Sequence, residues 1–302
     1  MRDGVLVVDK PRGRTSHDVV DHVRRGLHVQ RAGHTGTLDP FATGVLPVCL
    51  GKASRLARFL GEGDKEYRAT VRLGFATSTD DLEGEPLGPA VAASVDRRVL
   101  AEACASLTGP QLQVPPVYSA KRVEGRRLYE LARDGVRVEP QPAPVVVHAL
   151  DVRGVEGDLV EIDVRCSRGT YVRALARDLG TRLGCGGHLV ALRRLRSGEF
   201  GLQSAVAWEG VPEAGDRVLP LRSLLTAMPA VQVGPQGREA VRHGRSLNAP
   251  LVLTVFPAPG TAWIRVLDEE GELLAIAAAG QAGLDGASLP VEPLLHPRVV
   301  LL

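Results

Sequence analysis

Val5, Leu6, Val7 and Val8 form an unbroken apolar run near the start of the chain, the pattern of a short buried strand. Over 16–28 the period changes. Val19, Val20, Val23 and Leu27 share one helical face, and Thr15 or Ser16 can cap the helix. The stretch 31–51, dense in Gly, Thr and Pro, reads as an ordered loop, and 52–60 as a helix with Leu56, Phe59 and Leu60 apolar. Over 66–75 the alternation is clean. Tyr67, Ala69, Val71, Leu73 and Phe75 face one way, and Glu66, Arg68, Thr70 and Arg72 the other, as in a half-buried strand. An acidic loop over 77–89 leads to an amphipathic helix over 96–107, an extended segment over 110–116 and a helix over 128–133. Val160, Ile162, Val164 and Cys166 mark a second alternating strand. A helix over 170–183 turns Val172, Leu175, Ala176, Leu179 and Leu183 inward; it starts after Gly169 and ends at Gly184.

Near Met228 and Pro229 the chain turns acidic, and short strands over 262–267 and 273–278 alternate with Gly and Pro turns. This predicts two domains, 1–228 and 229–302. Strands and helices mix without regular βαβ alternation, so the fold class expected is α+β with a largely antiparallel sheet. The 44% hydrophobic and 24% charged fractions are those of a soluble globular protein. Aromatics are only 4%, which makes a tyrosine in a polar setting informative. Cys49, Cys104 and Cys166 read as buried free thiols and Cys185 as a turn residue. The eight histidines form no zinc-ligand spacing, so no metal site is expected. The apolar run at the N-terminus is too short for a signal peptide, and no stretch reaches membrane-span length. The expected setting is cytoplasmic, without membrane association.

The net charge of +2 is unevenly placed. Residues 1–60 hold ten Lys/Arg against five Asp/Glu, and 165–204 hold eight Arg against two acids. Such blocks attract a polyanion or are simply solvated basic faces. Asp39 is the sole acid between Asp21 and Glu62, set among glycines and threonines and followed by Pro40. A lone carboxylate on a stiff loop can be a nucleophile or general base, or it can cap a helix whose first residue is proline. Six residues separate Gly44 from Gly51 and Ala53 follows Lys52, which excludes a phosphate loop. Gly184-Cys185-Gly186 follows a helix, not a strand, which excludes a dinucleotide fingerprint. No G-x-S-x-G occurs.

The run from Arg31 to Pro47, RAGHTGTLDPFATGVLP, resembles the signature loop of the TruB family of tRNA pseudouridine synthases. Further blocks agree in the family's order: Val8-Asp9-Lys10-Pro11 with Thr15-Ser16-His17-Asp18, Lys65-Glu66-Tyr67-Arg68, Pro115-Pro116-Val117-Tyr118-Ser119-Ala120, Cys166 to Arg173, and Leu192-Arg193-Arg194-Leu195. The resemblance runs from about residue 4 to 200. It implies the pseudouridine-synthase fold, a mixed and largely antiparallel sheet flanked by helices, with a small β-rich PUA-like C-terminal domain. It also implies isomerisation of uridine-55 in the tRNA T loop without cofactor or metal.

By the same resemblance Asp39 is the catalytic aspartate, acting through an ester, a Michael adduct or a glycal. Arg173 pairs with it and holds its pKa down. Tyr67 is the active-site tyrosine, although its strand pattern alone would make it a core residue. His34 takes part in extruding the target base, Leu192 lines the pocket, Tyr171 supports it, and Lys10 contributes at the rim. The arginines of 12–31 and 165–196 then meet phosphates. Arg122 stands where the family usually has lysine, with Lys121 beside it. The expected partner is the T-arm of tRNA, with no obligatory protein partner and a monomeric state. A non-catalytic tRNA-binding module and a nucleoside glycosidase are the rival readings; the latter requires water at the site and often a second carboxylate.

Overall fold

The computed structural model describes residues 3–92, 96–119, 140–256, 261–280 and 294–302, together with the backbone of 122–123 and 126–127. The main sheet contains β1 (Gly4–Lys10), β2 (Ala32–His34), β3 (Thr43–Leu50), β4 (Lys65–Leu73), β5 (Gly109–Gln113), β8 (Ala143–Glu156), β9 (Leu159–Cys166), β10 (Gly187–Ser197) and the short β11 (Phe200–Gly201), β12 (Val206–Ala207) and β13 (Leu219–Pro220). Between β5 and β8, Arg122–Val123 (β6) pairs with Arg126–Arg127 (β7) in a separate ribbon. The order across the main sheet is β12-β1-β3-β10-β4-β9-β8-β5. Only β1 with β12 and β3 with β10 pair in parallel, so the sheet is mixed and largely antiparallel as expected.

Helices α1 (Ser16–Gly26), α3 (Arg97–Ser106) and α4 (Val172–Arg182) cover one face. Their apolar positions meet Leu6, Val8, Leu46, Val48, Ala69, Val71 and Ile162 in one core. The opposite face is divided. Behind β1 and β3, Val5, Val7, Val45 and Cys49 are also buried, against the one-turn helix α2 (Ala57–Leu60) and Leu273, Ile276 and Leu301 of a second sheet. Behind β4, β9 and β8 lie charged pairs such as Arg68 with Asp163 and Arg153 with Asp163. Covering both faces of β1 demands a continuous apolar run, whereas one wet face gives the alternation of β4 and β9.

The second sheet has the order β14-β15-β16-β17, formed by Ala230–Gln232, Trp263–Leu267, Leu273–Ala279 and Leu295–Val300, with helix α5 (Pro235–Arg242) against it. Trp263 packs edge-on to Phe59 with ring centroids 5.0 Å apart. The Arg58 guanidinium lies 4.4 and 4.8 Å from the two rings, within cation–π range. Arg55 donates to the Val300 carbonyl (2.6 Å).

Several expectations change. The 31–51 stretch contains two strands, β2 and β3, in place of a loop. Pro47 is tolerated in β3 because its carbonyl accepts from Thr35 N–H (3.2 Å), on the side where β2 ends, so the absent N–H interrupts no bond to β1. Residues 52–60 are mostly 3-10 helix, Gly51–Leu56, before the single α turn. The long strand β10 was not foreseen, since bulges after Leu189 and Arg194 break its period of two. The helix expected over 128–133 lies outside the described residues. Among the described residues no helix is long and apolar enough to cross a membrane.

Gly44 has φ +103°, and a Cβ there would stand 2.2 Å from the Arg194 carbonyl oxygen across the β3–β10 pair. Gly44→Ala is therefore expected to lower the unfolding free energy by more than about 2 kcal/mol. Urea titration followed by circular dichroism checks this, and an unchanged midpoint and slope would contradict it.

Candidate active site

Asp39 sits on the loop joining β2 to β3. The loop is not a helix start, so the capping alternative fails: Asp39 to Ala42 form a turn closed by Ala42 N–H on the Asp39 carbonyl (3.1 Å). Three buried side chains hold the loop's other backbone groups. Arg194, 1% exposed, donates to the carbonyls of Gly36 (3.1 Å), Thr37 (3.4 Å) and Val45 (2.7 Å). The Ser16 hydroxyl donates to the Leu38 carbonyl (3.0 Å) and accepts from Leu38 N–H (2.8 Å). The Lys10 ammonium donates to the carbonyls of Pro11 (3.0 Å), Pro40 (3.1 Å) and Ala42 (2.6 Å). Gly13 N–H adds a bond to the Pro40 carbonyl (2.8 Å).

Lys10, expected at the rim, thus lies beneath the loop. It is fully buried, and its three N–H bonds are used on carbonyls. Desolvation by burial brings its pKa down to about 8, while the Asp39 charge pulls the other way.

Arg173 reaches Asp39 from the first turn of α4. Its Nε lies 3.0 Å from Oδ2 and its Nη2 3.2 Å from Oδ1, a forked pair. Nη1 donates to the Thr79 carbonyl (3.2 Å) and faces the Asp81 carboxylate (3.2 Å), and Nη2 also meets the Tyr118 carbonyl (2.9 Å). Three hydrogen bonds and two further ion-pair contacts therefore hold the guanidinium in place. Asp81 belongs to the acidic loop over 77–89 and was not singled out from the sequence; its side chain is only 5% exposed. Its neighbour Asp80 pairs with Arg177 (2.8 Å), one helical turn beyond Arg173.

Arg173 acts to lower the Asp39 pKa, but burial outweighs it and the net shift is upward. Burial raises it most, Arg173 opposes, and the negative charge of Asp81 pushes it further up. The carboxylate side chain remains 32% exposed, open enough for a substrate to reach it.

Tyr67 is buried on β4 directly across from Arg194 in the strand register. Burial raises the phenol pKa, with smaller upward contributions from Cys166 and Asp39 and a downward one from Arg194, so the hydroxyl stays protonated at neutral pH. Leu192 faces the same core two residues before Arg194. Position 194 shares the inner face with 192 by strand parity, a sequence signal that could have marked Arg194. Tyr171 caps α4, and its peptide is clamped from both sides by the Gln113 amide: Tyr171 N–H donates to Oε1 (2.8 Å), and Nε2 donates to the Tyr171 carbonyl (3.2 Å). His34 ends β2, just ahead of the loop. Its Nδ1 is buried without a hydrogen-bond partner, and burial followed by the charges of Arg194 and His17 lowers its pKa, favouring neutral imidazole.

The basic blocks are not single surfaces. Arg173 and Arg194 are internal, and Arg177 is engaged with Asp80, Asp178 and the Val114 carbonyl. Arg12, Arg14, Arg24, Arg25 and Arg31 are exposed, as are Arg165, Arg168 and Arg182. Lys121 and the side chain of Arg122 lie outside the described residues. Among the described residues no group of three or more His, Cys, Asp and Glu is placed to hold a metal ion.

If Asp81 and Asp39 compete for Arg173, Asp81→Asn leaves the full cation to Asp39 and its pKa falls. The Asp39 titration, followed by carboxyl-carbon NMR and assigned by difference with Asp39→Asn, is expected at lower pH in the variant. A shift to higher pH would contradict the shared-cation account.

Comparison with known proteins gives two family matches. Residues 24–172 match the TruB family pseudouridylate synthase N-terminal domain, and 173–228 the tRNA pseudouridylate synthase B C-terminal domain. The tRNA pseudouridine synthase B of Solibacter usitatus is 41% identical over 305 residues, covering 99% of this chain and 100% of the relative. That of Aromatoleum aromaticum is 48% identical over 254 residues, 82% of each chain. Among solved structures, a chain of a Cbf5–Nop10–Gar1 complex superposes with TM-score 0.78 at 25% identity, covering 100% of this chain and 85% of that one. A chain of an H/ACA RNP bound to a substrate RNA containing 2'-deoxyuridine gives TM-score 0.75 at 25% identity, covering 99% and 85%.

Proposed function

The chain belongs to the TruB family of pseudouridylate synthases, and from that premise we propose that it isomerises uridine-55 in the T loop of tRNA to pseudouridine, with Asp39 as the catalytic carboxylate. As an enzyme it is an isomerase that converts uridine in tRNA to pseudouridine, in keeping with relatives that match it along nearly its whole length. The observation that carries the assignment to Asp39 is its forked pairing with Arg173. Without that partner, burial would raise its pKa further and favour the protonated, unreactive form. With it, the carboxylate is held in one orientation.

The reaction breaks the N1–C1' bond of the uridine, turns the uracil, and joins its C5 to C1'. The hydrogen on C5 leaves as a proton and N1 ends protonated, so substrate and product are isomers. An ester to C1', an adduct to the base and a glycal intermediate all call on the same ionised, positioned carboxylate. Tyr67 supplies a ring for the uracil to stack on and a neutral hydroxyl for hydrogen bonding. Burial disfavours its phenolate, which makes it a poorer base than donor. Leu192 and Tyr171 help exclude water, so that the detached base recombines instead of being lost. The target base must leave its stack first, and neutral His34, with Nδ1 unpaired, is suited to the space it vacates. Lys10 acts from below by fixing the Asp39 loop.

We divide the chain at Met228–Pro229 into a synthase domain, 1–228, and a PUA-like domain, 229–302, whose tRNA contacts are modest. The protein acts as a cytoplasmic monomer on the T-arm, and its exposed arginines engage phosphates. Arg12→Ala and Arg168→Ala are each expected to weaken tRNA binding several-fold and to lessen the slope of log K against log salt by about 1. Filter binding across a salt series tests this, and wild-type affinity throughout would remove those contacts from the account.

The central test uses tRNA tritiated at uracil C5. Wild-type protein should release tritium to solvent, with product at position 55. Asp39→Asn should bind tRNA yet release none. Binding without release by the wild type would leave only a tRNA-binding module, and free uracil would indicate a glycosidase.

A further inference from the structure

We propose that Ser16 is a positioning residue for the reaction, fixing the peptide plane from which the Asp39 carboxylate departs. The inference rests on Asp39 being the catalytic carboxylate.

Ser16 opens α1, where a serine ordinarily serves the helix terminus. Here that task is already done. Thr15 Oγ1 accepts from Asp18 N–H (3.0 Å) and Asp18 Oδ2 accepts from Thr15 N–H (2.8 Å), a complete capping box. The Ser16 hydroxyl is thereby free to turn inward. Ser16 is 3% exposed, and its hydroxyl is used on both backbone groups of Leu38, the residue before Asp39. It acts there as a neighbouring strand would, in a segment that belongs to no strand.

The Leu38 carbonyl lies in the rigid plane that also contains the Asp39 nitrogen and Cα. Arg194 fixes the planes before it, and Lys10 those after it. Ser16 is the side chain that holds the plane between. Without the hydroxyl, a buried N–H and a buried C=O lose their partners. The loop can recover them only by rotating that plane, which turns the Asp39 Cβ away from the Arg173 fork. Misplacement of a reacting group by about 1 Å can cost about 100-fold in rate. Ser16 itself lies under the loop, out of reach of an RNA, so affinity should be spared.

The test measures tritium release in single turnover, with tRNA affinity alongside, for Ser16→Ala and for the matched pair Ser16→Thr and Ser16→Val. The pair adds equal bulk and differs only in the hydroxyl, so it decides the matter even if Ser16→Ala does not fold. Expected are a rate loss of about tenfold or more in Ser16→Ala with affinity within about twofold of wild type, and Ser16→Thr faster than Ser16→Val by about tenfold. The acid limb of the rate profile should also move to higher pH in Ser16→Ala, because a carboxylate turned from Arg173 keeps its burial and loses its cation. The limb is read only over the pH range in which circular dichroism shows the variant folded, so that acid unfolding does not contribute to it. Equal rates in the Thr and Val variants, a wild-type rate in Ser16→Ala, or an affinity loss that matches the rate loss would overturn the proposal. An inactive wild type would instead overturn the reading of Asp39 as a catalytic group, so the two failures are distinct.

Discussion

The carbonyl groups of Gly36, Thr37, Leu38, Pro40 and Ala42 are taken up by the buried side chains of Arg194, Ser16 and Lys10. These three side chains come from β10, the start of α1 and the end of β1, yet converge within one loop of eight residues, 35–42. A buried backbone carbonyl without a donor costs about 1–3 kcal/mol. A loop that turned the same groups toward water would be free to move. Satisfying them internally makes an irregular segment as rigid as a strand, and Asp39 is carried on that segment. The interactions are mutual: the carbonyls also give two buried cations acceptors for their N–H groups, which helps Lys10 and Arg194 to be enclosed.

The electrostatics of the site depend on that rigidity. Arg173 stands between two carboxylates and cannot neutralise both completely. Asp39 is consequently held close to a cation while its pKa remains raised by burial and by Asp81. A carboxylate in this condition is poorly solvated and oriented by its partner. The five acceptors around Arg173 come from Asp39, Thr79, Asp81 and Tyr118, so three separate chain segments must close on α4 before the fork is complete.

The sheet supplies the platform. β1, β3 and β10 lie side by side, which brings Lys10, Gly44 and Arg194 into one row of the pleat. The absence of a side chain at Gly44 lets β10 approach closely enough for Arg194 to reach across to Val45, Thr37 and Gly36. Behind that row the second sheet packs on Val5, Val7, Val45 and Cys49, so the C-terminal segment contributes to the core under the site.

Much of this was legible in the sequence. Alternation marked β4 and β9, helical spacing marked α1, α3 and α4, and the signature block singled out Asp39, with Arg173 as its partner. Those features are local: side-chain direction repeats every two or 3.6 residues, and a motif is contiguous. The strand character of 43–50, the bulged β10, and the parts played by Asp81, Ser16 and Lys10 were not legible. Each depends on which distant groups meet it. Asp81 reads as a surface acid until α4 brings a guanidinium to it. Lys10 reads as a rim cation until the loop's carbonyls close over it. The sequence by itself determined the regularly patterned elements, their faces and the family. Only the tertiary structure decided which polar groups would be buried together, because pairing, desolvation and charge sharing are properties of contacts between distant segments, as where Arg194 meets Gly36 from 158 residues away in the chain.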